Sequence, residues 1–377
     1  MELYTVKPGD NIDAIAAAFQ IPVDSIIYVN QLIPPYALAV GQALLLDTPS
    51  LPAEKPSLVS FGYAYTYISP WVLRQTLPFL TELYIFSYGF TMEGNLISPP
   101  LDDVWMINEA RNAGVRSVLT LTPFGPDGRF NNALIHSVVQ NPAYKQNLIE
   151  QLLEIIEEKS YSGVDVDFEY ILALDRDAFT AFVSDLANAL RPLGCTTSVA
   201  LAPKTSAGQT GLLYEGKDYR GLGQAADSVL LMTYEWGYKY GPNMAVAPIN
   251  LVRRVVEYAV TEIPAAKINL GIPNYGYDWP LPFVQGITAA ATIGNVEAIQ
   301  IAIRNGAPIF FDETAQSPFF QYDSEGIPHE VWFEDVRSIQ AKFNLIKEFQ
   351  LRGAGYWQLM RWWRANWLLM EDTFSIL

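Results

Sequence analysis

From residue 57 onward the sequence repeats one kind of unit: a short run rich in β-branched and aromatic residues, then a longer stretch whose apolar residues recur at helical spacing. Eight such runs occur: SLVSFGYAYT from Ser57, ELYIFSYGF from Glu82, RSVLTLTP from Arg116, GVDVDFEY from Gly163, TTSVALAP from Thr196, SVLLMTYEW from Ser228, KINLGIPNYG from Lys267 and GAGYWQL from Gly353. The clearest intervening helix is 142–159, with Leu148, Leu152, Ile155 and Ile156 on one side. Strands separated by helix-length connections pair in parallel, because a parallel neighbour is reached only through a long crossover. Eight βα units predict an α/β protein, a closed (β/α)8 TIM barrel. The interval between the seventh and eighth runs is longer than one helix requires, which predicts a small inserted β-rich lobe around residues 283–332.

Ahead of the barrel, Leu3 to Val6 alternates as a strand does, Pro8-Gly9-Asp10 is a turn, and Ile12, Ile15, Ala16 and Phe19 share a helix face. A second short helix is predicted over Val23–Asn30, and after Gly41 the run Ala43–Leu46 returns as a strand. This βααβ order, with YTVKPGD in front, Asn30-Gln31 closing the second helix and GQALLL behind, resembles a LysM module over residues 3–46. Such modules bind polymers containing N-acetylglucosamine, peptidoglycan or chitin, and the resemblance implies that partner here. Asn11 stands where Thr or Ser is commoner, and Asn also caps helices well. Residues 47–56, DTPSLPAEKP, carry Pro49, Pro52 and Pro56 without apolar periodicity, the composition of a semi-rigid spacer. The expected organisation is a module over 1–48, a linker over 49–56 and a barrel over 57–377 that folds on its own core.

Composition excludes several functions. With 24 Lys and Arg against 40 Asp and Glu the formal charge is −16, a field that repels phosphate backbones and anionic headgroups, so neither nucleic acid nor a membrane surface is an expected partner. The 9 Trp and 21 Tyr supply aromatic faces of the kind that stack on sugar rings. Cys195 has no second cysteine to pair with and reads as a small core residue, and with only His136 and His329 a Cys/His metal cluster cannot be assembled. Both histidines fall in expected loops and are assigned no role. No cofactor or metal is expected. The N-terminal MELYTVKPGD has neither the basic nor the apolar region of a secretory signal, and no uncharged stretch reads as a membrane-spanning helix.

The chemistry is concentrated in YSGVDVDFEY, residues 161–170. Alternate side chains of a strand share a face, so Asp165, Asp167 and Glu169 point to the barrel interior while Val164, Val166 and Phe168 point outward. Successive acids are about 6.6 Å apart along the strand, and Glu169 is nearest the C-terminal mouth where active sites of this fold open. A structural strand has no use for three inward carboxylates, since burying each one unpaired is costly. Proximity is expected to make Asp165 and Asp167 share a proton and to raise the pKa of Glu169, and a protonated glutamate at neutral pH is a general acid.

The pattern S-x-x-D-x-D-x-E from Ser162 to Glu169 is similar to the D-x-x-D-x-D-x-E signature of glycoside hydrolase family 18, on the strand where that family keeps it. Met232-Thr233-Tyr234-Glu235 resembles the family's M-x-Y-D, Phe333 to Ser338 (FEDVRS) resembles its Y-D-D-x-x-S, and Trp357 sits where it places a tryptophan on the eighth strand. Within the family the two-domain chain resembles most the spore-cortex-lytic N-acetylglucosaminidases. The resemblance implies retaining hydrolysis of β-1,4 N-acetylglucosaminyl linkages assisted by the substrate's own N-acetyl group. It makes Glu169 the general acid and base, Asp167 the acceptor of the acetamido N–H, Asp165 its support, and Tyr234 a donor to the acetamido oxygen. Trp357 is the expected sugar platform, and Tyr63, Met232, Glu235, Trp236, Asn274 and Tyr275 are the candidate subsite residues. Ser162 in place of the first Asp weakens the carboxylate relay, and Glu235 in place of Asp adds a methylene beside the sugar.

The implied partner is peptidoglycan or a chitin-like glycan, and the implied location is the spore coat or cortex, or the cell wall, reached without a recognisable signal peptide. A chitinase and a non-catalytic, lectin-like spore-coat protein are the alternatives. Both substrates carry the same acetamido group, so the sequence leaves the choice between them open.

Overall fold

A computed structural model describes residues 1–48, 54–125 and 127–377 of the chain. Eight parallel strands form the barrel: Ser57–Tyr65, Glu82–Phe90, Arg116–Leu121, Gly163–Val166, Thr196–Leu201, Ser228–Leu231, Ile268–Pro273 and Gly353–Trp357. Each pairs with the next in chain order. The eighth pairs with the first, Gly353↔Val59 through Tyr356↔Gly62, and closes the cylinder. All eight runs read from the sequence are strands. The fourth is shorter than expected, ending at Val166. Beyond it only the amide of Asp167 continues the ladder, donating to the Leu121 carbonyl at 2.9 Å.

The interior is packed with side chains. Phe61, Tyr63, Tyr84, Phe86, Val118 and Leu230 form one buried cluster below the mouth. Gly355 makes room for it, since a β-carbon there would stand 2.5 Å from the Phe61 ring and 2.7 Å from Leu230. Outside the strands the helices bury their apolar stripes, including Leu148, Leu152 and Ile156 of the helix Pro142–Lys159. Ile155 lies on that helix's half-buried flank.

The inserted lobe is an antiparallel sheet of Gly276–Pro280, Ala291–Ile293, Phe310–Asp312, Ser317–Ser324 and Ile327–Trp332. It begins at Gly276, earlier than the expected 283, because Gly276–Pro280 pairs with both Ala291–Ile293 and Ile327–Trp332. It also holds a helix, Asn295–Arg304, whose start is fixed by Glu297 reaching back to the Gly294 amide at 3.1 Å.

The N-terminal unit has the expected order, Glu2–Thr5, Ile12–Phe19, Val23–Asn30 and Ala43–Leu46, with its outer strands antiparallel. Asn11 caps the first helix by accepting from the Ala14 amide at 2.9 Å. This unit is not merely tethered. Val29 and Leu45 are buried in the same apolar cluster as the barrel's outer layer, and Ala39 is buried with the lobe. The Arg364 amide donates to Gln31 Oε1 at 2.6 Å, Ile309 N to the Val40 carbonyl at 2.8 Å, and the N-terminal ammonium sits 2.9 Å from Asp372. Gly41, at φ +83°, packs so close to Ile309 that a β-carbon would overlap its carbonyl oxygen. The module keeps a core of its own, Ile12, Ile15, Ile26 and Leu44 among others, and shares a second apolar face with the barrel through Val29 and Leu45. The expected linker falls largely on residues 49–53, outside the described residues.

Among the described residues no single helix is long and apolar enough to cross a membrane. His136 and His329 lie on a helix and a lobe strand, not in loops, where Nδ1 of each is 2.8 Å from a carboxylate, Asp175 and Asp278 respectively. Cys195 is half-buried ahead of the fifth strand, with its thiol directed at the Tyr161 carbonyl.

Candidate active site

Strand alternation carries the acids to the mouth. Phe168 points outward and is clamped among Phe90, Phe179 and Phe182, with ring centroids 5.3, 5.6 and 5.7 Å away. That anchorage holds the neighbouring Asp167 and Glu169 inward after the regular strand has ended. Asp165 is fully buried and accepts from Tyr63 Oη at 2.9 Å and Ser198 Oγ at 2.7 Å. Both its oxygens are thus engaged by hydroxyls. Among the described residues it has no hydrogen bond to Asp167, so the expected shared proton is replaced by coupling through space. Asp167 is buried as well, and its Oδ1 has no hydrogen-bond partner among the described residues.

The electrostatics follow from burial. Desolvation, then the Asp167 charge, pushes the Asp165 carboxyl up to about 7 against the two hydroxyl donors. Desolvation and the Glu169 charge likewise push Asp167 up to about 7. Burial raises Glu169 above the ordinary carboxylate range, with Lys217 opposing and Glu235 assisting. Lys217 is the counter-charge. It is buried, its ammonium donates to the Ala200 carbonyl at 2.7 Å, and desolvation lowers it to about 8 while the acids hold it up. Ala200 is the next step of the fifth strand after Val199, which pairs with Val166, so the ammonium is tied down beside the backbone of Asp167. Nothing in the sequence marked Lys217, because it arrives from the connection after the fifth strand.

A further wall is the end of the sixth strand, two places round the barrel from the acids. Met232 N donates to the Leu201 carbonyl and Thr233 Oγ1 to the Gly271 carbonyl at 2.8 Å, which fixes the segment before it turns at Glu235. Glu235 adopts φ 66°, a left-handed conformation that non-glycine residues seldom take outside functional loops. Its carboxylate accepts from the hydroxyls of Tyr275 and Tyr277. Burial raises its pKa and those two donors lower it.

Two adjoining hollows of about 180 Å³ each open at this end of the barrel and share Glu169, Met232, Tyr234 and Glu235. One is also lined by Pro203, Leu213, Tyr214 and Trp236, the other by Asp167, Tyr65, Phe86, Phe124, Phe130 and Trp357. Of the expected site residues, Glu169, Asp167, Tyr234, Trp357, Met232, Glu235 and Trp236 therefore line one cleft. Tyr63, Asn274 and Tyr275 do not. Tyr63 is buried beneath Trp357, and Tyr65, two residues nearer the mouth on the same face, takes the lining position. Asn274 is buried and spends its amide on the Gln358 and Arg361 carbonyls, at 3.0 and 2.9 Å, shaping the loop after the eighth strand. Tyr275 holds Glu235 from behind. Asp165 supports the floor without reaching the cleft surface. Phe86, Phe124, Phe130 and Tyr214 were not read from the sequence, and the available signal for Phe86 was its place two residues after Tyr84 on the inward face of the second strand.

A closed parallel barrel with a file of carboxylates ending at its C-terminal mouth is the arrangement of a glycosidase, and residues 119–361 match glycosyl hydrolases family 18 while residues 4–47 match the LysM domain. The chain belongs to glycosyl hydrolase family 18. It is similar along its whole length to the cortical fragment-lytic enzyme of Bacillus subtilis (strain 168), with 40% identity covering 100% of this chain and 99% of that protein. The crystal structure of the spore cortex-lytic enzyme SleL of Bacillus megaterium QM B1551 superposes with a TM-score of 0.92 at 35% identity, covering 100% of this chain and 98% of that one. A chitinase from Chromobacterium violaceum, 24% identical, shares the fold with a TM-score of 0.78 over 84% of this chain and 98% of its own.

Proposed function

We propose that the protein hydrolyses β-1,4 N-acetylglucosaminyl linkages of spore-cortex peptidoglycan, with retention of configuration, through participation of the substrate's acetamido group. The observation that carries this reading is the buried, unpartnered Oδ1 of Asp167 beside a glutamate whose pKa is raised by burial. Glu169, whose pKa is raised by burial, gives its proton to the glycosidic oxygen. The acetamido carbonyl attacks the anomeric carbon as the bond breaks, forming an oxazolinium. Asp167 accepts the acetamido N–H, which orients the carbonyl and offsets the growing positive charge, and Asp165 supports Asp167 from below. Tyr234 directs its phenol at the acetamido oxygen, and Trp357 carries the ring. Water activated by Glu169, now the base, opens the intermediate on the original face.

A protein nucleophile is the competing mechanism for retention. Among the described residues Glu235 is the remaining carboxylate lining the cleft, and it accepts from the hydroxyls of Tyr275 and Tyr277, which disfavours it as an attacking group. The full-length likeness to proteins named cortical fragment-lytic and spore cortex-lytic enzymes supports cortex over chitin. In the same reading residues 1–48 form the glycan-binding module, residues 57–377 form the catalytic barrel, and the protein works at the spore wall. Digestion of purified cortex peptidoglycan followed by mass analysis of the fragments tests it. Release of saccharides ending in N-acetylglucosamine is expected, and cleavage of colloidal chitin with no action on cortex assigns the enzyme to chitin instead. Thiazoline mimics of the oxazolinium are expected to inhibit competitively, and glycan de-N-acetylated at the cleaved sugar is expected to be inert.

A further inference from the structure

The cleft is not the end of the aromatic surface at the barrel mouth. Trp357, on its floor, lies 6.0 Å from Tyr65 at the rim, and Tyr65 stacks on Tyr67 at 5.1 Å. Tyr67 is 63% exposed. Four residues on, Trp71 stands at the N-terminal end of the helix Pro70–Thr76, which starts at the mouth, and it is 55% exposed. Its ring meets Trp362, in the loop after the eighth strand, edge-on at 6.3 Å. Next comes Arg364, whose guanidinium lies 5.9 Å from the Trp362 ring and 3.8 Å from Tyr28 of the N-terminal module. Tyr28, 60% exposed, is locked to this spot because its carbonyl accepts from Arg364 Nη1 at 2.6 Å.

Exposed aromatic rings are costly to leave against water, and a cluster of them marks an interaction surface; here Tyr67, Trp71 and Tyr28 are exposed, with Trp362 and Arg364 half-buried between the last two. This set begins in the cleft and ends on the module, across a junction that buried contacts hold rigid. The apolar face of a hexopyranose stacks on such rings, and the planar guanidinium stacked on Tyr28 extends the platform. We propose that Tyr67, Trp71, Trp362, Arg364 and Tyr28 form a track on which one N-acetylated glycan strand lies continuously from the module to the cleft. The proposal rests on the glycosidase reading of the cleft. Because the module is docked, a strand held on it enters the cleft along one fixed path. Each added stacking contact on the same strand is intramolecular and multiplies affinity for long strands while leaving short ones unaffected.

The test compares kinetics on a peptidoglycan tetrasaccharide with those on long, peptide-free glycan strands, for the wild type and for Trp71→Ala, Trp71→Phe and Tyr28→Ala. The two alanine variants remove exposed rings, and melting curves verify that they fold. Each is expected to raise KM on long strands roughly tenfold, the loss of one stacking contact, with kcat and all tetrasaccharide constants unchanged. Trp71→Phe, which keeps a ring, is expected to recover most of the loss. Unchanged KM on long strands in both folded alanine variants would overturn the track. So would concentration-dependent self-association abolished by Trp71→Ala, which would make the surface an interface between copies. If the wild type cleaves neither substrate, the reading of the cleft fails separately. The track is then decided by calorimetric titration of long strands, where equal dissociation constants for wild type and Trp71→Ala reject it.

Discussion

At the scale of single residues, two buried carboxylates, the half-buried Glu169 and a buried ammonium stand together, and their charges are set by one another. Glu169→Gln keeps the shape of the acid and removes its proton, so turnover is expected to vanish while the melting temperature and retention on insoluble peptidoglycan stay as in the wild type. More than a few per cent of residual activity would reject Glu169 as the acid. Asp167→Asn is expected to cost roughly 10² or more in kcat, the scale on which positioned transition-state electrostatics are lost. Lys217 favours the ionised forms of Asp167 and Glu169, so replacing it by Met removes that support and raises both pKa values. The pH profile of kcat/KM is then expected to move to higher pH on both limbs. Profiles that coincide in a folded Lys217→Met variant would show that the ammonium does not reach the acids.

At the scale of elements, the segment Phe333 to Ser338, which resembled a family motif, does its work at a helix start. Asp335 caps the helix Val336–Phe349, accepting from the amides of Arg337 at 2.8 Å and Ser338 at 3.2 Å. It also holds Arg337 Nη2 at 2.6 Å, and Arg337 in turn donates to the Gly41 carbonyl of the module at 3.2 Å. Beside it Glu334 and Lys342 form a buried pair at 2.8 Å. Asp335→Ala is expected to cost about 0.5–2 kcal/mol for the cap alone, and the freed Arg337 loosens the module as well. Thermal unfolding measures it, and tetrasaccharide hydrolysis should be unchanged because the segment lies outside the cleft. The capping pattern was readable as D-x-x-S, but its second task was not, since Gly41 is brought there by the tertiary fold.

At the scale of the whole molecule, module and barrel share a core through Val29 and Leu45. Leu45→Ala is expected to cost about 2–5 kcal/mol and to lower a single cooperative melting transition of the entire chain. A calorimetric trace in which a small transition moves alone, with the barrel transition fixed, would mean that the two units unfold independently. By the same contacts, removing residues 1–48 uncovers apolar surface around Trp363 and Ala365. Such a truncation is therefore expected to destabilise the barrel.

The sequence by itself determined the eight strands, the βααβ module and the inward file of Asp165, Asp167 and Glu169, because each is written in local periodicity and the period survives folding. Trp357 and the segment Met232 to Trp236 were legible for the same reason, lying at strand ends whose position the repeat fixed. The tertiary structure alone decided that Tyr65 and not Tyr63 lines the cleft, since strand length at the mouth depends on neighbours. It alone brought Lys217 beside the acids, set Tyr275 and Tyr277 on Glu235, and seated the module on the barrel. Those relations join residues far apart in the chain, and burial, charge and shape can select them only once the barrel has closed.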